Sequence, residues 1–170
     1  MSYERAERRL LVETVKLVLH RAGVDASEVD VMFAGDLLDQ LVTANFAGRD
    51  LGIPLLGVYG ACSTSAESLL LSAMAVSSGS ARFALAATAS HHLAAERQYR
   101  YPLELGVQRL PTAQWTATGA VAFLVGPPRG AGVRIRAATV GRVHDAGIKD
   151  VNNMGAAMAP AAADTIARHL

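Results

Sequence analysis

One stretch of this 170-residue chain constrains its fold more than any other: residues 55–79, LLGVYGACSTSAESLLLSAMAVSSG. An apolar run (residues 55–58) gives way to Tyr59-Gly60-Ala61, then to the sole cysteine, Cys62, then to Ser63-Thr64-Ser65 and a helical pattern. Ala66, Leu69, Leu70, Ala73 and Met74 follow the three-and-four spacing of one helix face. The stretch reads as strand, sharp turn, helix. Hydroxyls at Ser63 and Thr64 suit the cap, where they accept free first-turn amides, and Gly79 suits the stop. Between residues 53 and 81 the only charged side chain is Glu67, and Ser68, Leu71, Ser72, Ala75 and Val76 fill the opposite face. A surface helix carries a charged face; this pattern predicts a central, buried helix whose small residues permit close backbone approach. Its free amides and positive end converge on Cys62, which favours anions nearby and the thiolate form of a cysteine.

The rest of the chain supplies strands around that unit. Residues 2–22 read as a first helix, with Leu11, Val15, Val18 and Ala22 on one face, Arg and Glu on the other, and Gly23 after it. Residues 25–28 make a polar turn, 29–34 a short strand closed by Gly35-Asp36, and Thr43 is placed to cap a helix over 44–51, before Gly52 and Pro54. Residues 82–88 (RFALAAT) form a near-continuous apolar strand of the kind buried on both faces of a parallel sheet, ending at Ser90-His91-His92. Cys62 and the histidine pair both follow strands, and parallel α/β sheets bind ligands beyond the carboxyl ends of their strands. A shared cleft is therefore expected.

Residues 94–114 (AAERQYRYPLELGVQRLPTAQ) read as a long polar insertion, rich in Arg and Tyr, of a type that covers or serves a site. Residues 119–125 form a strand and 126–130 a turn; 133–140 form a further strand, able to pair antiparallel with its predecessor. A loop follows to about residue 159, Pro160 fits a first helical position, and the chain runs as helix into its end without a cap signal, as a truncated chain does.

Composition narrows the function classes. Sixteen Lys and Arg against fifteen Asp and Glu leave +1, so no global charge points to nucleic acid as a partner. One cysteine forms no internal disulfide, and nothing in the first ten residues resembles a signal peptide, so a reducing cytosol is expected. Low-charge stretches are broken by Gly, Pro and Ser well short of a membrane span. No cofactor is expected. No metal is expected either, because His91-His92 has no third ligand at fixed spacing.

The sequence GACSTS (residues 60–65) resembles the nucleophile turn of thiolase-like condensing enzymes, with Cys62 at their catalytic cysteine, and TGAVAFLV resembles the Gly-Ala strand that follows there. A closer resemblance is to the dipicolinate-binding stage V sporulation protein AD family of endospore-forming bacteria. It is carried by AGDLLDQLVTAN (residues 34–45), YGACSTSAES, ATASHH, AERQYRYPLELG, PTAQWTATGA and MGAAMAPAAADTI, over nearly the whole chain. The resemblance implies an α/β fold: a thiolase-like α/β/α half with a mixed, mostly parallel sheet and a central buried helix. Residues 1–130 would be the first half, lacking its first strand, and 131–170 the truncated start of the second. It implies a sporulation protein that binds pyridine-2,6-dicarboxylate (dipicolinic acid) and takes part in its uptake into the developing spore. Cytoplasmic and peripheral to the spore inner membrane, it would work beside membrane proteins of the same operon. A homodimer would pair through the edge strand at residues 53–58, and a non-catalytic dimerisation or scaffold module built on that pairing is a further alternative function. The catalytic histidines of the condensing enzymes, and the asparagine some of them use instead, come from the half this chain does not include, so binding rather than catalysis is expected. Cys62, Ser63, Thr64, His91, His92, Arg97 and Arg100 are the candidate ligand residues, and Cys62 is also the candidate nucleophile of an acyl-transfer alternative. Plainer uses stand beside these. A lone cysteine serves as an inert core residue, His91-His92 as loop or core histidines, the Arg-Tyr segment as a subunit contact, and Asp36 as a turn carboxylate.

Overall fold

The structure, a computed structural model, describes residues 2–99, 115–128, 132–150 and 153–170. They fall into two compact units. The first holds residues 2–99, 116–128 and Gly132; the second holds Trp115, 133–150 and 153–170.

In the first unit, helix α1 (Tyr3–Ala22) is capped by the Ser2 hydroxyl, which accepts the Arg5 amide at 3.3 Å, and ends at Gly23 with φ 60. Strand β1 (Val31–Asp36) leads to α2 (Val42–Leu51), β2 (Leu55–Gly57), α3 (Thr64–Ser77), β3 (Ala84–Ser90), α4 (His92–Tyr99) and β4 (Gly119–Val125). The sheet order is β2-β1-β3-β4, parallel except for β4, which lies antiparallel to β3. Leu11, Val15 and Leu19 of α1 and Ala44 and Ala47 of α2 fill the main core against Met32, Ala34, Phe83, Leu85 and Ala87. On the other face α3 crosses the two central strands, and Leu71, Ala75 and Val76 join a smaller cluster around Phe33, Val58, Ala81 and Ala84.

Several expected elements are displaced for identifiable reasons. Both inner strands begin two residues late, because Asp30 Oδ2 accepts the Arg82 and Phe83 amides (2.7 and 3.0 Å) and so pins their first residues as a cross-tie. They also run on through Gly35↔Thr88 and Asp36↔Ala89. Thr43 does not cap α2; it is buried within it, and Leu41 holds the cap position at φ 56. On α3 the buried residues are Thr64, Ser68 and Ser72, one from each turn, while Ala66 and Met74 of the expected stripe are exposed. The polar insertion begins instead as helix α4, with Ala94, Ala95 and Glu96 buried; residues 100–114 lie outside the described residues.

In the second unit no strand forms among the described residues, so the expected strand at 133–140 and its hairpin are absent; β4 pairs with β3 instead. Helix α5 (Met154–His169) starts at Asn153, whose side chain accepts the Ala156 amide at 3.2 Å. Pro160 is therefore internal to α5 rather than its first residue, and it removes one donor from that helix. Thr139 and His169 are hydrogen bonded at 2.8 Å, and Arg142 pairs with Asp164 at 2.9 Å.

Candidate functional site

The approach of α3 to the strand ends sets the site. A Cβ at Gly35 would meet the Val58 carbonyl at 2.3 Å and the Thr64 methyl at 3.1 Å, so only glycine lets β1 pass so close to the start of α3. The chain leaves β2 and turns through Gly60 into a short 3-10 segment, Ala61–Ser63, from which α3 continues. Ala61 has φ 45, and its amide donates to Asp39 Oδ1 at 2.9 Å. Next in the chain, Cys62 is exposed.

An open pocket of about 360 Å³ lies at the carboxyl ends of β1 and β3, lined by Leu37, Ala61, Cys62, Thr88, Ala89, Ser90, Gly119, Ala120 and Val121. Its volume sits at the lower end of small-molecule sites, which run to about 300–1,000 Å³. The lining is small and uncharged. Two of its hydroxyls are engaged with backbone, Thr88 Oγ1 donating to the Gly35 carbonyl at 3.1 Å and Ser90 Oγ to that of Ala117 at 2.9 Å.

Of the described residues expected at the site, Cys62 lines this pocket, and Ser63, Thr64, His91, His92 and Arg97 are not among its lining residues. Ser63 makes no capping bond; its hydroxyl donates back to the Gly60 carbonyl at 2.8 Å. Thr64 is turned into the sheet, with its buried Oγ1 unpartnered. His91 stacks on Tyr3 at 5.4 Å, its Nδ1 buried without a partner. His92 opens α4 with Nδ1 2.9 Å from the Thr116 carbonyl, an oxygen that only accepts, so that nitrogen carries the proton. Arg97 is paired with Glu4 of α1. Arg100 lies outside the described residues.

Sequence reading missed Leu37, the 88–90 strand end and the 119–121 strand start as walls. Their signal is positional: all stand at strand ends beside the cysteine turn. It also missed two buried carboxyls. Glu96, 1% exposed, accepts from the Thr116 amide (3.1 Å) and hydroxyl (2.8 Å) and ties α4 to the segment entering β4. Glu7 on α1 is pushed up to about 7, first by burial and then by the charge of Asp36, against a hydrogen bond from Thr43. Asp36 does the work of a turn: Oδ1 accepts the Leu38 and Gln40 amides (3.0 and 3.2 Å), while Oδ2 is buried without a partner. Among the described residues, no cluster of three or more His, Cys, Asp or Glu could hold a metal ion.

Comparison with known proteins places the chain in a family and a fold. The family model for stage V sporulation protein AD matches residues 1–170. The chain belongs to the stage V sporulation protein AD family. It is 48% identical over 168 residues to the family member from Bacillus subtilis (strain 168), covering 99% of this chain and 49% of that protein. The chain thus spans about half the length of the curated relative it matches. Among solved structures, it is similar to a 3-oxoacyl-(acyl-carrier-protein) synthase III, with a TM-score of 0.56 and 27% identity over 79% of this chain and 40% of that one. The corresponding synthase III from Thermus thermophilus gives 0.55 and 18% over 74% and 38%. The fold is therefore that of a thiolase-like half: α/β, with a mixed, mostly parallel sheet. Among the described residues, no helix is long and apolar enough to cross a membrane.

Proposed function

We propose that this chain contributes a binding site for dipicolinate and takes part in its uptake into the developing spore, with no chemistry of its own. The observation that carries the reading is the pocket lined by Cys62 and the turn that leads into α3, in a sporulation-family chain. A planar aromatic dianion needs flat, small-residue walls for its ring and donors for its carboxylates. Ala61, Ala89, Gly119 and Ala120 supply the first; the Ala61, Ser63 and Thr64 amides already donate to Asp39, Gly60 and Ala61, so the second falls to side chains at the rim. Ser63, His91, His92, Arg97 and Arg100 remain candidates for the rim, with Arg97 required to leave Glu4 before it can neutralise a carboxylate, while Thr64 is buried against the sheet.

Calorimetric titration with dipicolinate tests the reading. Saturable heat below millimolar ligand is expected, and Cys62→Trp, which fills the pocket, abolishes it while leaving circular dichroism unchanged. Absence of saturable heat, or full binding by the tryptophan variant, contradicts it. The protein is cytoplasmic and peripheral to the spore inner membrane in this reading, working beside membrane proteins of its operon. Homodimers form through β2, which lies at one edge of the sheet with Leu56 exposed.

A second reading, acyl transfer through a Cys62 thioester, draws on the exposed thiol at the pocket wall. Incubation with acyl-CoA donors followed by intact mass separates the two: an adduct on Cys62 favours transfer, and an unmodified mass favours binding.

A further inference from the structure

Two turns line the pocket, and one hydrogen bond ties them together. Leu37 comes from the loop after β1 and Cys62 from the turn before α3; between them Asp39 Oδ1 accepts the Ala61 amide at 2.9 Å. Ala61 stands at φ 45, and the loop has two more left-handed residues, Asp39 at φ 55 and Leu41 at φ 56. Side chains rarely adopt such backbone, and it persists only where surrounding contacts hold it. The loop is itself fastened at both ends. Asp36 Oδ1 takes the amides of Leu38 and Gln40, and the Asp39 amide donates to the Asp36 carbonyl at 3.2 Å. At the far end the Leu41 side chain covers Gly57, where an added Cβ would come within 2.5 Å of a Leu41 methyl. A tethered loop thus presents a carboxylate to the amide of the residue directly before the cysteine.

We propose that Asp39 is a positioning residue for this site: its carboxylate locks Ala61 in the left-handed conformation and so aims Cys62 at the pocket. The proposal takes its importance from the ligand reading above but stands on geometry alone. It also bears on that reading. The carboxylate occupies one donor near the start of α3 and puts a negative charge there, so an anionic guest meets fewer free amides than a bare helix start offers.

Cys62 is the sole cysteine, so alkylation with bromotrifluoroacetone places a single fluorine probe on this turn in the full chain. In ¹⁹F NMR, Asp39→Ala should shift or split the wild-type resonance, whereas Asp39→Asn, which keeps an acceptor oxygen in place, should restore it. Asp39→Gln misplaces that oxygen and should behave like the alanine variant, giving a second disruption if Asp39→Ala does not fold. In an Ala61→Gly background, where glycine takes positive φ freely, the effect of Asp39→Ala should largely disappear; a merely structural role elsewhere in the loop would not be relieved this way. An unchanged resonance in the disrupting variants, or an equal change in both backgrounds, overturns the proposal. The measurement needs no ligand, so a failure to bind dipicolinate leaves it intact, and its own failure leaves the ligand reading intact.

Discussion

The two faces of the sheet use one spacing with opposite chemistry. On one, α1 sets Leu11, Val15 and Leu19 at four-residue intervals into the main core; on the other, α3 sets Thr64, Ser68 and Ser72 at the same interval against the strands. Long aliphatic side chains gain free energy in proportion to the area they bury, but they hold a helix off the sheet. Short hydroxyl side chains gain little and let the helix in. The difference teaches that α1 supplies stability while α3 gives up packing energy for approach, and the approach brings the cysteine turn to the strand ends. Gly35, under the start of α3, belongs to the same bargain.

The contrast can be broken most directly at Leu11, which is fully buried. Leu11→Ala should lower the unfolding free energy by about 2–5 kcal/mol in urea titration, and a loss under about 1 kcal/mol would mean the α1 face is not the stabilising one.

Glu7, at the end of the same face, sharpens the comparison through pH. Its folded value of about 7 lies above the ordinary 4.5, because burial and Asp36 both oppose its charge. Its contribution to stability is therefore complete below about 4.5 and is lost as pH rises through about 7. At about 1.4 kcal/mol per unit, the loss is on the order of 3 kcal/mol. Urea titrations across that window should show wild type falling away from Glu7→Gln as pH rises; parallel curves would remove the acid from the account.

The smallest effect belongs to α3. Ser72 Oγ is buried without a partner, so Ser72→Ala gives up no hydrogen bond and should change stability by less than about 0.5 kcal/mol or raise it. Ser72→Leu should cost about 1–3 kcal/mol by forcing the helix outward. If leucine were accepted without loss, close approach would not be what the hydroxyls are for.

These contrasts mark what the sequence made legible. The spacing of Leu11 and Val15 and the Gly23 stop located α1 to within a residue, because aliphatic burial and left-handed glycine leave local marks. The strand-turn-helix around Cys62 was equally plain, and GACSTS carried the fold family with it. The inward face of α3 was not, since hydropathy ranks serine as polar while the sheet selects for small volume; the apolar stripe pointed the wrong way. Helix α4 was hidden because the burial of Glu96 is satisfied by Thr116, twenty residues on. Pro160 drew attention from Asn153, whose cap on Ala156 was present in the sequence and outweighs a proline's preference for the first turn. Of the site, the cysteine was readable and most of its walls were not, for Leu37, Ala89 and Ala120 are ordinary residues made significant by strand register.

The central claim is that the hollow beside Cys62 is where a ligand sits. A crystal structure determined in the presence of dipicolinate tests it most directly. The account predicts planar density between the cysteine turn and Gly119 to Val121. Well-ordered ligand bound elsewhere on the protein, with this hollow filled only by water, would contradict it.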